Sequence, residues 1–331
     1  MELITGARRE AQVVGSRTRE QIATPDDYVV SREVMLTASR NYAFASQFLP
    51  ADVRPHVEAL YAFLRVGDDR VDVSYEGFDS PAAAIDDWEH QYRRAFASGR
   101  SDHPVLRAYL QTARKYSIPE SVMDPYFRAM RQDLDINRFS TFTDLMRYIE
   151  GSALPVGRAM TYILGEQSGA SFQAALHRAD SLSIAMQLSN FWRDIGEDWA
   201  RGRVYLPLED MRAFGVSEAD LAAHRVTPAF VGLLKFEISR TQSYYREAFE
   251  GVGMLASGRW AVMSGLLIYQ AILTGLIKNN YDPFQKRARA NDVIKLWLVV
   301  KAAWKSLRPG TPQGSRQLGM DAIADEELVL S

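Results

Sequence analysis

Apolar residues return every three or four positions almost throughout this chain, as in VRPHVEALYAFLRVGDDRVD and LSIAMQLSNFWRDIGEDW. That spacing gathers them on one face of a helix, and it restricts what the chain can fold into more than any other feature. Strand-like alternation is nearly absent. Pro50, Pro81, Pro104, Pro119, Pro207, Pro228 and Pro283 stand where helices should start or break. At roughly 150 residues per domain, the 331 residues nominally make two domains. No repeat, low-complexity tract or Gly/Ser-rich linker divides them, so the pattern predicts one all-α domain. We expect a flexible lead-in over 1–30, the helical domain over 31–308 and a loose tail over 309–331, where Pro, Gly, Ser and late acids gather.

Composition removes whole classes of chemistry. Lys plus Arg number 39 against 41 acids, a balance that argues against a dedicated nucleic-acid binder. There is no cysteine, which excludes disulfide scaffolds, zinc fingers, iron–sulfur clusters and thiol catalysis. The five histidines are scattered and form no H-E-x-x-H, so any metal should sit among oxygens. The N-terminus lacks the apolar run of a secretory signal, and a cytoplasmic protein is expected. Trp260 to Ile277 is free of formal charge, but it contains Ser264, Gly265, Tyr269, Gln270 and Gly275. We read it as a buried, cavity-lining helix rather than a membrane span.

Two acidic stripes carry the chemical signal. On a helix with Asp68 at zero, Tyr61, Asp72 and Arg65 fall at about 20°, 40° and 60°, with Asp69 at the edge near 100°. With Asn190 at zero, Asp194, Gln187 and Asp198 fall at about 40°, 60° and 80°, and Arg193 lies about 60° to the other side. Carboxylates one turn apart repel each other, and the cost grows on a buried face unless cations neutralise them. Magnesium takes oxygen ligands and bridges protein carboxylates to substrate phosphates. Nearby arginines can then hold phosphate oxygens bidentately. A solvated acidic face is the ordinary alternative, but apolar residues rather than charge runs flank both stripes. A di-iron bundle would want Glu-x-x-His pairs, which are missing.

These segments resemble the squalene/phytoene synthase family of head-to-head isoprenoid synthases. DDRVD (68–72) is similar to its first aspartate-rich motif, and QLSNFWRDIGEDWARGRVYLP (187–207) to its second. SRNYAFASQFLP (39–50), YIEGSALPVG (148–157) and IYQAILTGLIKNNYDPFQKR (268–287) resemble further family segments, in the family's order. The resemblance implies a single all-α isoprenoid-synthase bundle around a central cavity. By matching positions, Asp68, Asp72, Asn190, Asp194 and Asp198 would hold magnesium, or manganese in its place. Ser39, Arg40, Arg65, Arg193, Tyr269 and Lys286 would contact diphosphate oxygens. Tyr61, Tyr148 and Gln187 would line the reaction cavity, and Tyr269 or the departing diphosphate would accept a proton.

The resemblance further implies prenyl diphosphate substrates. Two geranylgeranyl diphosphates would give phytoene through a cyclopropylcarbinyl diphosphate, without NADPH. Farnesyl-using synthases of squalene, dehydrosqualene or presqualene diphosphate are the runner-up. A non-catalytic assembly factor and a head-to-tail prenyltransferase or cyclase are the other classes weighed. Several residues depart from the family pattern: Asn41, Leu154, Pro155, Gly67, Phe191 and Trp192. Gly67 costs about 1 kcal/mol of helix propensity relative to Ala. Phe191, about 100° from Asn190, is placed to border the cavity, whereas Trp192, near 200°, should pack outward. The basic stretch Lys278 to Arg308, with Trp297 and Trp304, reads as a core stripe with a solvated face, the alternative being peripheral contact with anionic lipid.

Overall fold

Prolines and hydroxyl side chains set where the helices begin. The computed structural model describes residues 22–285, apart from Val73 and the side chain of Asp72. Its helices are α1 (Pro25–Ala38), α2 (Arg40–Ser46), α3 (Arg54–Asp72), α4 (Pro81–Ser98), α5 (Pro104–Lys115), α6 (Asp124–Gln132) and α7 (Phe142–Ser152). They continue as α8 (Leu154–Leu164), α9 (Phe172–Ala200), α10 (Leu208–Phe214), α11 (Glu218–Ala222), α12 (Pro228–Val252) and α13 (Arg259–Lys278). Pro25, Pro81, Pro104 and Pro228 occupy first-turn positions, where a missing N–H leaves no bond unmade. Ser80 and Thr227 accept from Ala83 and Phe230 N–H at 3.1 Å, capping α4 and α12. Among the described residues no strand forms, so the fold is all-α as expected.

The expected lead-in over 1–30 is too long. α1 starts at Pro25 because the Thr24 N–H donates to Asp27 at 2.8 Å, closing a capping box. The buried Asp27 carboxylate then receives both arms of Arg107, at 2.6 and 3.0 Å, which ties α1 to α5. Most of the lead-in, the expected tail over 309–331 and most of the basic stretch lie outside the described residues.

Two apolar cores organise the helices. One gathers α3, α4, α5, α6 and α8 around Phe63, Trp88, Tyr92 and Tyr109, with Phe63 stacked on Tyr109 at 4.4 Å between ring centroids. The other gathers α7, α9, α12 and α13 around Trp192, Leu188, Phe230 and Leu273. Here Trp192 Nε1 donates to Thr241 at 2.8 Å, pinning α9 to α12, so Trp192 packs away from the Asn190 face. α13 is long and apolar enough to cross a membrane by length and composition, with mean hydropathy 1.7. Instead Leu266, Ile272, Leu273 and Leu276 sit in the second core.

Packing of His56 against Tyr116 and of His103 against Trp88, at the edge of the first core, favours their neutral forms. Burial first, then the Lys115 ammonium, lowers His56 to about 4. Burial, then Arg70 and Arg107, does the same for His103. The unfolded chain takes up these protons below about 6.5 and the folded chain only near 4. Each histidine therefore contributes stability that is complete above pH 6.5 and lost as pH falls toward 4. Glu237 and Asp198, raised by burial to about 8 and 7, act with the opposite sign and lose their contribution as pH rises. A His103→Gln variant should thus gain on the wild type as pH is lowered from 7.5 to 5, read as the difference between their urea midpoints at each pH.

Candidate functional site

Between the two cores lies a cavity of about 460 Å³. Leu49, Val57, Leu60 and Leu64 come to it from the first core, and Ala248, Val252, Leu266 and Ile268 from the second. α9 supplies its longest wall, with Ala175, Ala179, Leu182, Ser183, Met186, Gln187 and Asn190 facing inward at three- and four-residue spacing. At 1.5 Å per residue, Ala175 to Asn190 runs about 22 Å. Most of this wall is small or aliphatic. The Asn190 end is polar, and near the opposite end Arg178, paired with Glu250 at 2.8 Å, also lines the cavity.

At that end the wall carries Asp68, Arg65 and Tyr61 from α3, Asn41 and Tyr42 from α2, Gln187 and Asn190 from α9, and Tyr269 from α13. Tyr61, Arg65 and Asp68 of the first stripe and Gln187 and Asn190 of the second therefore face one cavity. Asp194 is not on its wall, and Asp198 lines a small separate pocket with Phe191 and Tyr205. Tyr42 stands between Tyr61 and Tyr269, at centroid distances of 5.2 and 6.1 Å, and its hydroxyl donates to Tyr269. Burial pushes Tyr61 and Tyr269 up to about 12, so these hydroxyls remain protonated donors.

The basic residues are already engaged. Arg65 pairs with Asp69 at 2.5 Å. Arg193 grips the carboxylate of its neighbour Asp194 with two bonds, at 2.8 and 2.5 Å. Arg70, inside the first motif, turns away to Asp87 at 2.7 Å and to the Ala84 carbonyl, and lies over the Trp88 ring. It locks α3 to α4 behind the site.

One turn beyond Asp194, burial and then the Asp194 charge raise the Asp198 carboxyl to about 7. A carboxyl that resists ionisation one turn from a second acid marks a local excess of negative charge, which a divalent cation would relieve. Among the described residues no three carboxylates or imidazoles stand close enough to hold a metal by themselves. Magnesium needs no such cage, because it binds one or two carboxylates and completes its shell with water and substrate phosphates. The oxygen-only donors fit that cation.

Other expected residues lie elsewhere. Ser39 caps α2, accepting from the Tyr42 N–H at 3.3 Å, and its hydroxyl donates to Tyr61. Arg40 opens the same helix and is exposed. Tyr148 is not on the cavity wall: it packs against Phe139 and Tyr205, with its hydroxyl toward Asp133 and Tyr205. Phe191 also lies off the wall, stacked on Tyr205 at 3.9 Å, because the loop after α9 returns across that side of the helix. The Val204 N–H bonds the Asn137 carbonyl and the Leu208 N–H that of Phe139, which fixes this return. Lys286 and the Asp72 side chain lie outside the described residues. Gly196, in the second motif, marks a close approach: a Cβ there would meet Phe284 Cδ1 at 3.2 Å.

Sequence spacing missed Tyr42, which joins Tyr61 and Tyr269 on the wall, and Tyr126 of α6, whose hydroxyl donates toward Asp68 Oδ1 at 3.1 Å and the Leu64 carbonyl at 2.8 Å. The only signal for Tyr126 was indirect, a glycine beside the first aspartate.

Residues 35–292 match the family model of squalene/phytoene synthases. The chain is 31% identical to a phytoene synthase of Arthrospira platensis over 80% of its own length and 88% of that protein's. It is 30% identical to a 15-cis-phytoene synthase of Synechococcus elongatus, covering 84% of this chain and 92% of that protein. Among solved structures it is similar to a dehydrosqualene synthase in complex with ligand, with TM-score 0.78 and 26% identity over 85% of this chain and 96% of that one. It also resembles squalene synthase HpnC of Alicyclobacillus acidocaldarius, with TM-score 0.71 and 31% identity over 78% and 96% of the two chains.

Because Phe191 stacks on Tyr205 and not on the cavity, Phe191→Ala should cost about 3 kcal/mol of stability. The distribution of products by chain length should not change, as denaturant unfolding and product chromatography of one preparation would show.

Proposed function

The chain belongs to the squalene/phytoene synthase family and is a prenyltransferase; from that premise we propose that it joins two geranylgeranyl diphosphates head to head into phytoene. The observation that carries the substrate choice is the depth of the α9 wall. At roughly 1.25 Å of advance per bond, the extended main chain of a geranylgeranyl group spans about 19 Å and that of a farnesyl group about 14 Å. A wall of about 22 Å suits the longer chain. The similarity to phytoene synthases supports the same choice. The structural likeness to dehydrosqualene and squalene synthases favours the second reading, a farnesyl-using enzyme.

Asp68, Asp72, Asn190, Asp194 and Asp198 would hold magnesium, which when bound offsets the negative charge growing on the leaving diphosphate. The other steps fall to the chain's own side chains. Arg193 is paired with Asp194, which a cation would draw off, freeing its planar donors for diphosphate oxygens. Arg65, on the cavity wall and paired with Asp69, would turn to diphosphate oxygens by exchanging that partner. The rings of Tyr42, Tyr61 and Tyr269 border the point where an allylic cation would form, and their faces stabilise it. The apolar wall beyond excludes water, so the cation meets the second prenyl chain. With Tyr269 held protonated, the departing diphosphate is the better proton acceptor. A first proton loss closes the cyclopropylcarbinyl diphosphate; departure of its remaining diphosphate, rearrangement and a second proton loss give phytoene, so no hydride donor is required.

Purified protein given magnesium and either farnesyl or geranylgeranyl diphosphate, with and without NADPH, tests the reading. Forty-carbon phytoene formed independently of NADPH is expected; thirty-carbon hydrocarbon as the main product would overturn it. Asp68→Ala and Asp194→Ala should each lower turnover by about a thousandfold, with an unchanged helical circular dichroism spectrum. Ala179 lies about 16 Å from Asn190 along the wall, between the two chain lengths. Ala179→Phe should therefore depress turnover of geranylgeranyl diphosphate about tenfold more than that of farnesyl diphosphate, in competition assays.

A further inference from the structure

Gly67 interrupts a helix that otherwise carries good formers, directly before the first aspartate of the site. Its neighbours show what the gap is for. A Cβ built on Gly67 would fall 2.1 Å from the Tyr126 hydroxyl oxygen, 3.1 Å from the ring carbon that bears it and 3.0 Å from Trp88 Cδ1. The hydroxyl of α6 thus occupies the volume that any other residue at 67 would fill. From there it shares its one proton between two acceptors a turn apart on α3, the Leu64 carbonyl at 2.8 Å and Asp68 Oδ1 at 3.1 Å. The Tyr126 ring cannot drift from this position, because it is buried and packed edge-on against Phe127 at 5.3 Å.

We propose that Gly67 and Tyr126 act as a pair that positions Asp68: the missing side chain admits a hydroxyl that holds the carboxylate in one orientation at the cavity wall. Tyr126 is not on the cavity wall and acts as a positioning residue, comparable to the outer hydrogen bonds that orient metal-binding side chains in other proteins. A carboxylate ordered in advance loses less rotational freedom when the cation arrives. The inference rests on Asp68 being a cation ligand, as proposed above.

The pair is tested by calorimetric titration of manganese into the full chain with inorganic diphosphate present, beside the magnesium dependence of turnover. Tyr126→Phe should keep the fold and bind manganese about tenfold more weakly. Its magnesium requirement for half-maximal rate should rise by a similar factor, while KM for the prenyl diphosphate at saturating magnesium stays within twofold. Gly67→Ala, which expels the hydroxyl, should show the same shift. The double variant Gly67→Ala/Tyr126→Phe should be no worse than the weaker single one, because both remove one interaction. Wild-type metal dependence in Tyr126→Phe, or additive losses in the double variant, would overturn the pairing. Asp68→Asn separates the two levels of the argument. If it binds manganese as tightly as wild type, Asp68 is not a ligand and the reading of the site fails. If it binds weakly while Tyr126→Phe matches wild type, only the positioning role fails.

Discussion

A cavity kept open between two packed cores is the constraint on which the rest of this structure depends. Close packing is the ordinary state of a protein interior, and a void of about 460 Å³ forfeits contacts that its lining would otherwise make. The chain sustains it by placing separate apolar clusters on either side, each with its own buried aromatic residues. Small residues such as Ala45, Ala175, Ala179 and Gly265 line the seam. A Cβ on Gly265 would meet nothing within 4 Å, so its lack of a side chain leaves open space rather than admitting a neighbour.

Charge is arranged so that this open seam tolerates acids at one end. Asp194 and Asp198 stand one turn apart on α9, and burial resists the ionisation of the second. The guanidinium of Arg193 on its own neighbour, and that of Arg65 on Asp69, limit the repulsion before any ligand arrives. These pairings differ from what a helical wheel suggests. Projection put Arg193 and Asp194 on diverging bearings, yet a side chain as long as arginine folds back to the adjacent carboxylate. Arg70 shows the converse: it lies within the first acidic motif but serves the contact between α3 and α4.

Much of the fold was legible because helical periodicity and proline placement are local properties. The positions of Tyr61, Arg65 and Asp68 on one cavity-facing stripe followed from the same geometry, as did Gln187 with Asn190. Phe191 departs from its helical-wheel expectation for a physical reason. Its bearing on α9 was right, but the surface met at that bearing is Tyr205, brought there by backbone bonds between 137–139 and 204–208. Tyr148 is drawn to the same aromatic group and away from the cavity wall. α1 starts earlier than the local pattern suggests, because a buried ion pair to Arg107, 80 residues away, cannot be read from that pattern.

The sequence by itself determined that the chain is helical, that hard oxygen ligands stand one turn apart on two helices, and that it resembles one family of isoprenoid synthases. Those conclusions need only the helix repeat, the residue types and the order of motifs. Only the packing of distant helices brings Asp68 and Arg65 to one cavity with Gln187 and Asn190, sets how far that cavity runs along α9, and explains why a glycine precedes Asp68. Each of these depends on which surfaces meet between helices distant in the chain, and a repeat within one helix carries no information about the partner packed against it.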